Sequence, residues 1–472
     1  MGSSPQNSSH RIIVDSIHGD ISPSEIEWRV LDTASFQRLR QIKQLGMAQF
    51  VYPNATHTRF AHSLGVLGIM ARVLGVVEQK GVKRKEEEIE NLRLAALLHD
   101  IGHYPYSHLM EKLDKVQLTE ELVGDKQPRR ELDASRVPFP KHDELGRTII
   151  THQKDLLEAL GGKNRAEAVA AIFCRSEGTD LQWSKLINSS LDMDRLDYLL
   201  RDSNATGVPY GQIDINYLLN NLKVSDNGRL GVTRKALSAA EQFLFARYFM
   251  HRTVYYHKTT FAFEEACRHL LRRIRDRQEF GFPVDGHAIR DIAKGEELLM
   301  FTDAFVDNII RQAVKQEDEV ISSLAQSILN RRPPKLLKEI SVLDGRKDGG
   351  STALELFKKD CRHKIKELAS TRGHKLGRFL LAETPPISLA ERAHFLTADQ
   401  ARELEEEADP DINVFLDESG DPVSIVDVPE SLVSKCSDYQ FRSVRLYFVD
   451  KGIDNGVEFE EIRRVVSDWG GS

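Results

Sequence analysis

The sequence predicts a mainly α-helical protein, with a helical core and a smaller α+β carboxy-terminal lobe. From about Ile21 to Leu329, apolar residues recur at three- and four-residue spacing, which is the period of amphipathic helices. Beyond Arg332-Pro333-Pro334, the segments Ile412 to Val426 and Arg442 to Val449 alternate β-branched and aromatic residues around turns, as short strands do. A chain of 472 residues is also too long for one core. We therefore expect a core over residues 1–330 and a lobe over residues 331–472.

Individual elements follow from the same patterns. Apolar residues at helical spacing predict helices in the core over Asn91 to Leu98, Ser189 to Arg201 and Ser238 to Tyr256. Polar composition predicts surface connections over Gln79 to Glu88 and Val123 to Pro140. The lobe contributes one further predicted helix, Ser351 to Arg372.

Composition argues against several classes of protein. The net charge of -7 gives no general attraction to nucleic acid, so a nucleic-acid partner is not indicated. The longest apolar stretch, Leu64 to Val77, is interrupted by Arg72 and is shorter than the ~20 residues of a membrane span. The polar amino terminus lacks a secretion signal, and we expect a cytoplasmic protein. The sequence has no C-x-x-C pair, which argues against a zinc ribbon. Reduced thiols are expected at Cys174, Cys267, Cys361 and Cys436.

Three separated motifs predict a metal centre. LAALLHDIGHYPYSH carries His99 and Asp100 side by side, although such a pair alone is more often a buried hydrogen-bonded couple. THTRFAHSLG adds His62, and SLDMDRLDYLLRD adds Asp194 on an apolar helix, where an unpaired carboxylate is costly. Two imidazoles and two carboxylates suit one divalent iron, manganese, zinc or nickel ion, which keeps positions open for water and phosphate. The set therefore predicts a metal-dependent hydrolytic centre.

Two helical columns suggest that the substrate is a nucleotide. Residues four apart lie on one helix face, and this spacing joins Asp194, Tyr198 and Asp202, and likewise Arg247, His251 and Tyr255. Arginine can fork onto a phosphate, and a tyrosine ring can stack on a base. Aromatic residues at this spacing more often pack in a core. Asp194, a predicted metal ligand, is the first residue of one of these sets, and this favours a binding site.

The order of six motifs resembles the deoxynucleoside triphosphate triphosphohydrolases of the HD superfamily, which include bacterial dGTPases and the vertebrate SAM-and-HD-domain enzyme. The motifs are IIVDSIHGDI, FQRLRQIKQLG, YPNATHTRFAHSLG, ALLHDIGHYPYSH, LDMDRLDYLLRD and HRTVYYHK. The resemblance implies an HD-domain core without a SAM domain before it, and it weakens beyond residue 330. It also implies cleavage of a dNTP into deoxynucleoside and triphosphate.

Site residues follow by the same resemblance. His62, His99, Asp100 and Asp194 would be the metal ligands. His103, His108 and His142 would transfer protons and bind developing phosphate charge, and Asp202 would join Gln44 at the sugar 3'-hydroxyl. Tyr198 would crowd the 2' position, which would select deoxyribose. The remaining substrate contacts would be Leu45, Arg59, Arg195, Arg247, His251 and Tyr255, with Mg²⁺ carried on the substrate triphosphate.

Relatives of this family are often dimers or tetramers activated by nucleotides. The matching activator residues would be Asp32, Gln37, Arg40, Lys235 and Lys258. Departures from the pattern at Val14, Tyr217 and Thr233 suggest a different effector. A further departure is Arg195, where the vertebrate enzyme has lysine, and a salt-bridge role is equally compatible with this residue.

Two alternatives stay open from the sequence. The same metal centre could serve a phosphodiesterase acting on cyclic nucleotides or nucleic-acid ends. A pocket without catalysis would make a nucleotide sensor. The preferred dNTP is not readable, because stacking by Tyr255 tolerates any base.

Overall fold

The computed structural model describes residues 11–124, 136–174, 181–187, 189, 191–225, 229–345, 350–390, 412–417, 420–451 and 456–466. Within these ranges most elements are α-helices, and the strands form small sheets. The predicted mainly α fold class is therefore confirmed.

The helices follow one another through the core with short connections. Those before residue 190 are Glu25–Leu31, Ala34–Gln37, Arg59–Gln79, Glu86–Leu98, His108–Glu111, Thr119–Leu122, His142–His152, Lys154–Leu160, Lys163–Phe173 and Leu181–Ser184. Those that follow are Met193–Thr206, Ile215–Asn220, Leu237–Met250, Lys258–Arg277, Gly286–Lys294, Asp303–Ala313, Glu319–Leu329, Gly350–Arg372, Leu432–Cys436 and Val457–Val466. One π-helix, His251–Tyr255, lies directly after Leu237–Met250.

The strands form three separate groups. An amino-terminal hairpin pairs Ile13–Asp15 with Gly19–Ile21. In the lobe, Tyr439–Phe448 lies between Lys335–Gly345 and Phe379–Glu383 and also pairs with Ile387–Ser388, all antiparallel. The third sheet runs in the order Leu222–Val224, Leu230–Thr233, Asn413–Phe415 and Val423–Ser424.

The carboxy-terminal segments divide between two hydrophobic clusters. Ile412, Val414 and Ile425 pack in the large core cluster, and Asn413–Phe415 pairs in parallel with the core strand Leu230–Thr233. The helix Gly350–Arg372 packs instead in a second cluster with the long strand of the lobe. The boundary at residue 330 stays a prediction, since the chain returns to the core after it.

Most predicted elements are present with shifted ends. The predicted helix Ser189 to Arg201 begins only at Met193, because the Asp192 carboxylate accepts from the backbone N–H of Arg195 and caps the helix. The predicted helix Ser238 to Tyr256 is α-helical only to Met250 and then changes to the π-helix. Of the predicted Val123 to Pro140 connection, residues 125–135 lie outside the described ranges.

The helix Arg59–Gln79 forms the centre of the core. It is long and apolar enough to cross a membrane, but 72% of its apolar window is buried inside the fold, as expected for a core helix. Gly65 lets the helix Met193–Thr206 approach closely, because a Cβ at this position would overlap the Asp197 carboxylate and the Arg201 guanidinium. This close contact brings two of the predicted metal ligands together.

Candidate metal centre

Three helix ends meet at the predicted metal ligands. His62 lies in the first turn of Arg59–Gln79, and Asp194 lies in the first turn of Met193–Thr206. His99 and Asp100 follow directly after the helix Glu86–Leu98. The fold thus collects residues that are up to 132 positions apart in the sequence.

The four side chains converge on a small volume. His62 Nε2 lies 2.9 Å from Asp194 Oδ1 and 3.5 Å from Asp100 Oδ2. His99 Nε2 lies 3.4 Å from Asp100 Oδ1 and 3.8 Å from Asp194 Oδ1. Of the four, Asp100 has the most other partners, since Arg59 donates to it at 2.7 Å and His103 contacts it at 3.0 Å.

Both imidazoles are oriented for a metal ion. His62 Nδ1–H donates to Asp197 at 2.7 Å, and His99 Nδ1–H donates to the Ala96 carbonyl at 2.9 Å. Their Nε2 atoms therefore face the centre, where they lie next to the carboxylates of Asp100 and Asp194. Buried ring nitrogens of this kind normally bind something, and a bonded Nδ1 is the usual arrangement of a metal-ligating histidine. The residues fit a divalent metal ion.

The electrostatics also favour a positive charge at the centre. Burial opposes the charged imidazolium, but contacts with Asp194 and Asp197 raise the pKa of His62 to about 10. Although burial acts in the opposite direction, His62 and His99 hold the pKa of Asp194 below its usual range. The carboxylates thus stay ionised in a buried place and attract a cation.

Behind His62 lies a buried charge network that sequence reasoning missed. Asp197 accepts from His62 and His18 at 2.7 Å each and from Arg201 at 2.8 and 2.9 Å. Arg201 also donates to both oxygens of Asp15 at 3.0 and 3.1 Å. The four-residue spacing of Asp197 and Arg201 indicates an ion pair. Nothing in the sequence pattern points to the contacts of Asp197 with His62 and His18, which lie on distant elements.

The three predicted catalytic histidines form a second group beside the centre. His103 stacks on His142 with ring centroids 4.3 Å apart and meets His108 at 4.8 Å. Glu111, which was not predicted, accepts from His108 at 2.7 Å and from His142 at 3.1 Å. Burial opposes protonation, but Glu111 raises the pKa of His142 to about 9. His142 is therefore cationic near neutral pH, which suits binding of phosphate charge.

One cavity of about 710 Å³ joins these groups to the predicted substrate residues. His99, Asp100 and Asp194 line it, while His62 lies behind them and is fully buried. All the predicted catalytic and substrate residues also line it: Gln44, Leu45, Arg59, His103, His108, His142, Arg195, Tyr198, Asp202, Arg247, His251 and Tyr255.

Several of these side chains contact one another. Asp202 accepts from the Tyr255 hydroxyl and from His57, both at 2.8 Å. The rings of Tyr198 and Tyr255 meet edge to face, 6.1 Å between centroids. Because of the π-helix, the predicted column of Arg247, His251 and Tyr255 does not continue at regular α-helical spacing; π-turns often occur at functional sites.

Two of the predicted phosphate-binding arginines have contacts of their own. Arg195 pairs with Asp192 at 2.6 Å and donates to the Ser189 carbonyl, so it combines the salt-bridge role with a place on the cavity wall. Arg247 contacts the Ser388 carbonyl at 3.4 Å. The lobe thus reaches the wall of the cavity.

The predicted activator residues lie elsewhere. Arg40 donates to Gln37 at 2.6 Å and covers the Phe60 ring at 3.6 Å, and Asp32 lies on the exposed surface nearby. Lys235 and Lys258 are exposed on other elements. Among the described residues, no hydrogen bond or ion pair is seen between Asp32, Gln37 or Arg40 and either lysine. None of these five residues lines the cavity.

Comparisons with known proteins agree with this architecture. An HD domain matches residues 59–202, and an HD associated region matches residues 213–408. The uncharacterized protein MJ1154 of Methanocaldococcus jannaschii is 35% identical over 253 residues, and the deoxynucleoside triphosphate triphosphohydrolase SAMHD1 homolog of Dictyostelium discoideum is 31% identical over 254 residues. Each alignment covers 53% of this chain and 46% of the relative, so the chain spans about half the length of these relatives.

A solved structure extends the comparison to almost the whole chain. The crystal structure of a phosphohydrolase from Bacteroides thetaiotaomicron matches with a TM-score of 0.68 and 25% identity, and the match covers 93% of this chain and 99% of that one. Together with the HD domain and the cluster of His and Asp side chains that could hold a metal, this match leads to one conclusion. The chain contains an HD domain followed by an HD associated region and has the fold of an HD-domain phosphohydrolase.

Proposed function

We propose that this protein is a metal-dependent dNTP triphosphohydrolase, which cleaves a dNTP into deoxynucleoside and triphosphate. The observation that carries the proposal is that one cavity wall combines metal-centre groups with cations, phenols and a carboxylate suited to a nucleotide. Similarity to the Dictyostelium homolog, whose name gives this activity, supports the same assignment.

The metal centre would supply the activation of water. A divalent iron, manganese, zinc or nickel ion held by His62, His99, Asp100 and Asp194 would provide Lewis acidity toward water and phosphate. The protein's part is to fix the two imidazoles through Asp197 and the Ala96 carbonyl.

The surrounding side chains would bind the triphosphate and handle protons. Arg59, which donates to Ser107 at 3.0 Å and to Asp100 at 2.7 Å, would bind the α-phosphate, and Arg247 would bind the outer phosphates. Because Nδ1 of His108 donates to Glu111, its Nε2 is the atom left to transfer a proton. Burial lowers the pKa of His108, so Nε2 would first take up a proton from water and then hand it to the departing 5'-oxygen. Cationic His142 would bind the developing charge on phosphate.

The sugar side of the cavity would select deoxyribose. Asp202 would accept from the 3'-hydroxyl, together with Gln44, whose buried Oε1 has no hydrogen-bond partner among the described residues. The Tyr198 ring would occupy the space that a 2'-hydroxyl needs.

The proposal extends to the protein's setting. We propose a cytoplasmic homo-oligomer, a dimer or tetramer, whose substrate carries Mg²⁺ on its triphosphate. An activating nucleotide would bind near Asp32, Gln37 and Arg40 of one subunit and Lys235 and Lys258 of another, because exposed groups that are far apart in one chain can meet across an interface.

A product assay tests the function. Purified protein is incubated with each dNTP and each candidate metal, with every other nucleotide added in turn as activator, and products are separated by anion-exchange chromatography. Deoxynucleoside and triphosphate in equal amounts are expected. Release of pyrophosphate or orthophosphate instead, or turnover of phosphodiesters alone, would contradict the proposal, and dNTP binding without any turnover would favour a nucleotide sensor.

A further inference from the structure

The cavity extends beyond the residues assigned to the dNTP. Its far part, called here the distal groove, is lined by four side chains of the helix Lys258–Arg277 together with one from each of two neighbouring segments: Thr260, Glu264, Arg268, His269, Lys112 and Arg362. From Thr260 to His269 the groove follows about 13 Å of helix axis, at a rise of 1.5 Å per residue. A second ligand group has room here.

Two buried polar atoms in the groove lack a hydrogen-bond partner within the part of the chain that the structure describes. Thr260 is 1% exposed and His269 is 2% exposed. Among the described residues, neither Thr260 Oγ1 nor His269 Nδ1 has a hydrogen-bond partner. Burial, reinforced by Arg273 and Arg268, lowers the pKa of His269 to about 3, so the imidazole is neutral. Buried polar groups without partners are rare in folded proteins, which indicates that a polar ligand or water binds here.

The charge of the groove selects the kind of ligand. Three carboxylates line the cavity wall in and beside the groove, and each lies near a cation: Glu264 and Glu265 contact Arg268, and Glu383 contacts Lys358 at 2.6 Å. Five cationic side chains line the same region: Lys112, Lys115, Arg268, Lys358 and Arg362. The excess of positive charge favours an anion.

We propose that the distal groove binds an inorganic polyphosphate anion and, resting on the proposed function, that it receives the triphosphate product. Of the two products of that reaction, only triphosphate is anionic, and the deoxynucleoside gains nothing from five cations. The groove residues and the metal-centre residues His99, Asp100 and Asp194 line one cavity. Product can therefore move from one to the other without leaving the cavity.

Calorimetry with inorganic tripolyphosphate, in the absence of nucleotide, tests the site. Arg362→Gln should weaken binding by about tenfold or more, because it removes a charge-assisted hydrogen bond. Thr260→Val keeps the side-chain shape and should weaken binding severalfold, which covers the case in which the arginine variant does not fold. Arg372→Gln, an exposed arginine on the same helix as Arg362, serves as the matched control and should bind as the unchanged protein does.

Kinetics separates the groove from the substrate site. Arg362→Gln should raise the inhibition constant of triphosphate by the same factor while leaving the KM of the dNTP unchanged. Equal tripolyphosphate affinity in all variants would overturn the inference, and so would an equal rise of KM, which would make the groove part of the substrate site. If no dNTP is hydrolysed but tripolyphosphate binding still depends on Arg362, the anion site stands and only the proposed reaction fails.

Discussion

The wall behind the metal centre and the distal groove are two polar regions of one cavity system, built on opposite principles. Asp197 is fully buried, and His62, His18 and Arg201 together make four hydrogen bonds to its carboxylate. In the groove, buried Thr260 Oγ1 and His269 Nδ1 lack partners among the described residues. A carboxylate that accepts several hydrogen bonds holds the neighbouring imidazole rigidly, and a region with unused polar groups leaves that bonding to what enters it. The first suits fixed chemistry and the second suits a transient ligand.

Replacing a metal-ligating side chain should have the largest effect on the metal centre. Asp194→Ala or His99→Ala should lower dNTP turnover by more than about a thousandfold, because several kcal/mol of metal-derived activation are lost. Turnover and bound metal, measured by elemental analysis, should fall together. Asn204→Ala, an exposed change on the same helix as Asp194, should alter neither quantity, and near-normal turnover in a ligand variant would refute the assignment of the centre.

Asp197→Asn tests whether the wall acts on the metal through His62. The amide cannot accept from both histidines and from Arg201 at once, so metal affinity should fall by about 10- to 100-fold. A chelator competition measures this affinity directly. Glu430→Gln is the matched control, since it breaks only a surface pair with Arg234, which contributes little. Unchanged affinity in Asp197→Asn would mean that the network has no part in holding the metal.

Two glycines on the helix Arg59–Gln79 allow the effect of close packing on stability to be distinguished from the effect of helix propensity. Gly65→Ala should lower the free energy of unfolding by about 2 kcal/mol, since the new methyl group overlaps the Asp197 carboxylate. Gly75→Ala has no atom within 4 Å of the added Cβ and should raise stability by up to ~1 kcal/mol. Urea denaturation gives both values. A Gly65 variant as stable as the unchanged protein would show that the two helices can separate freely.

Tyr198→Ala tests the more open side of the cavity and should have the smallest effect. Without the Tyr198 ring, the cavity has space for a 2'-hydroxyl. The preference for a dNTP over the matching ribonucleotide, measured as the ratio of kcat/KM values, should therefore fall by about tenfold. Tyr210→Ala removes an exposed tyrosine that does not line the cavity, and the preference should stay unchanged. An unaltered preference in Tyr198→Ala would assign sugar selection to other groups.

The sequence was sufficient for some features of the site and insufficient for others. His62, His99, Asp100 and Asp194 stand in local motifs, so each was nameable before any fold was known. Glu111 stands close to two of the motifs but carries no signal of its own, because acidic residues on surface helices are common. The change from α- to π-helix after Met250 also has no marker in the local sequence, since the same residues suit a continuous helix.

By itself the sequence determined the mainly helical fold class and the metal-binding residue types, because helical periodicity and ligand chemistry are local properties. Only the tertiary structure decided which polar groups support those ligands. Asp15 and His18 of the amino-terminal hairpin meet Asp197 and Arg201 through long-range packing. Gly65 lets the helix that carries His62 approach Asp197 and Arg201 closely. The tertiary structure likewise decided that part of the cavity wall has buried polar atoms without partners among the described residues. Long-range packing sets both, and no local pattern encodes it.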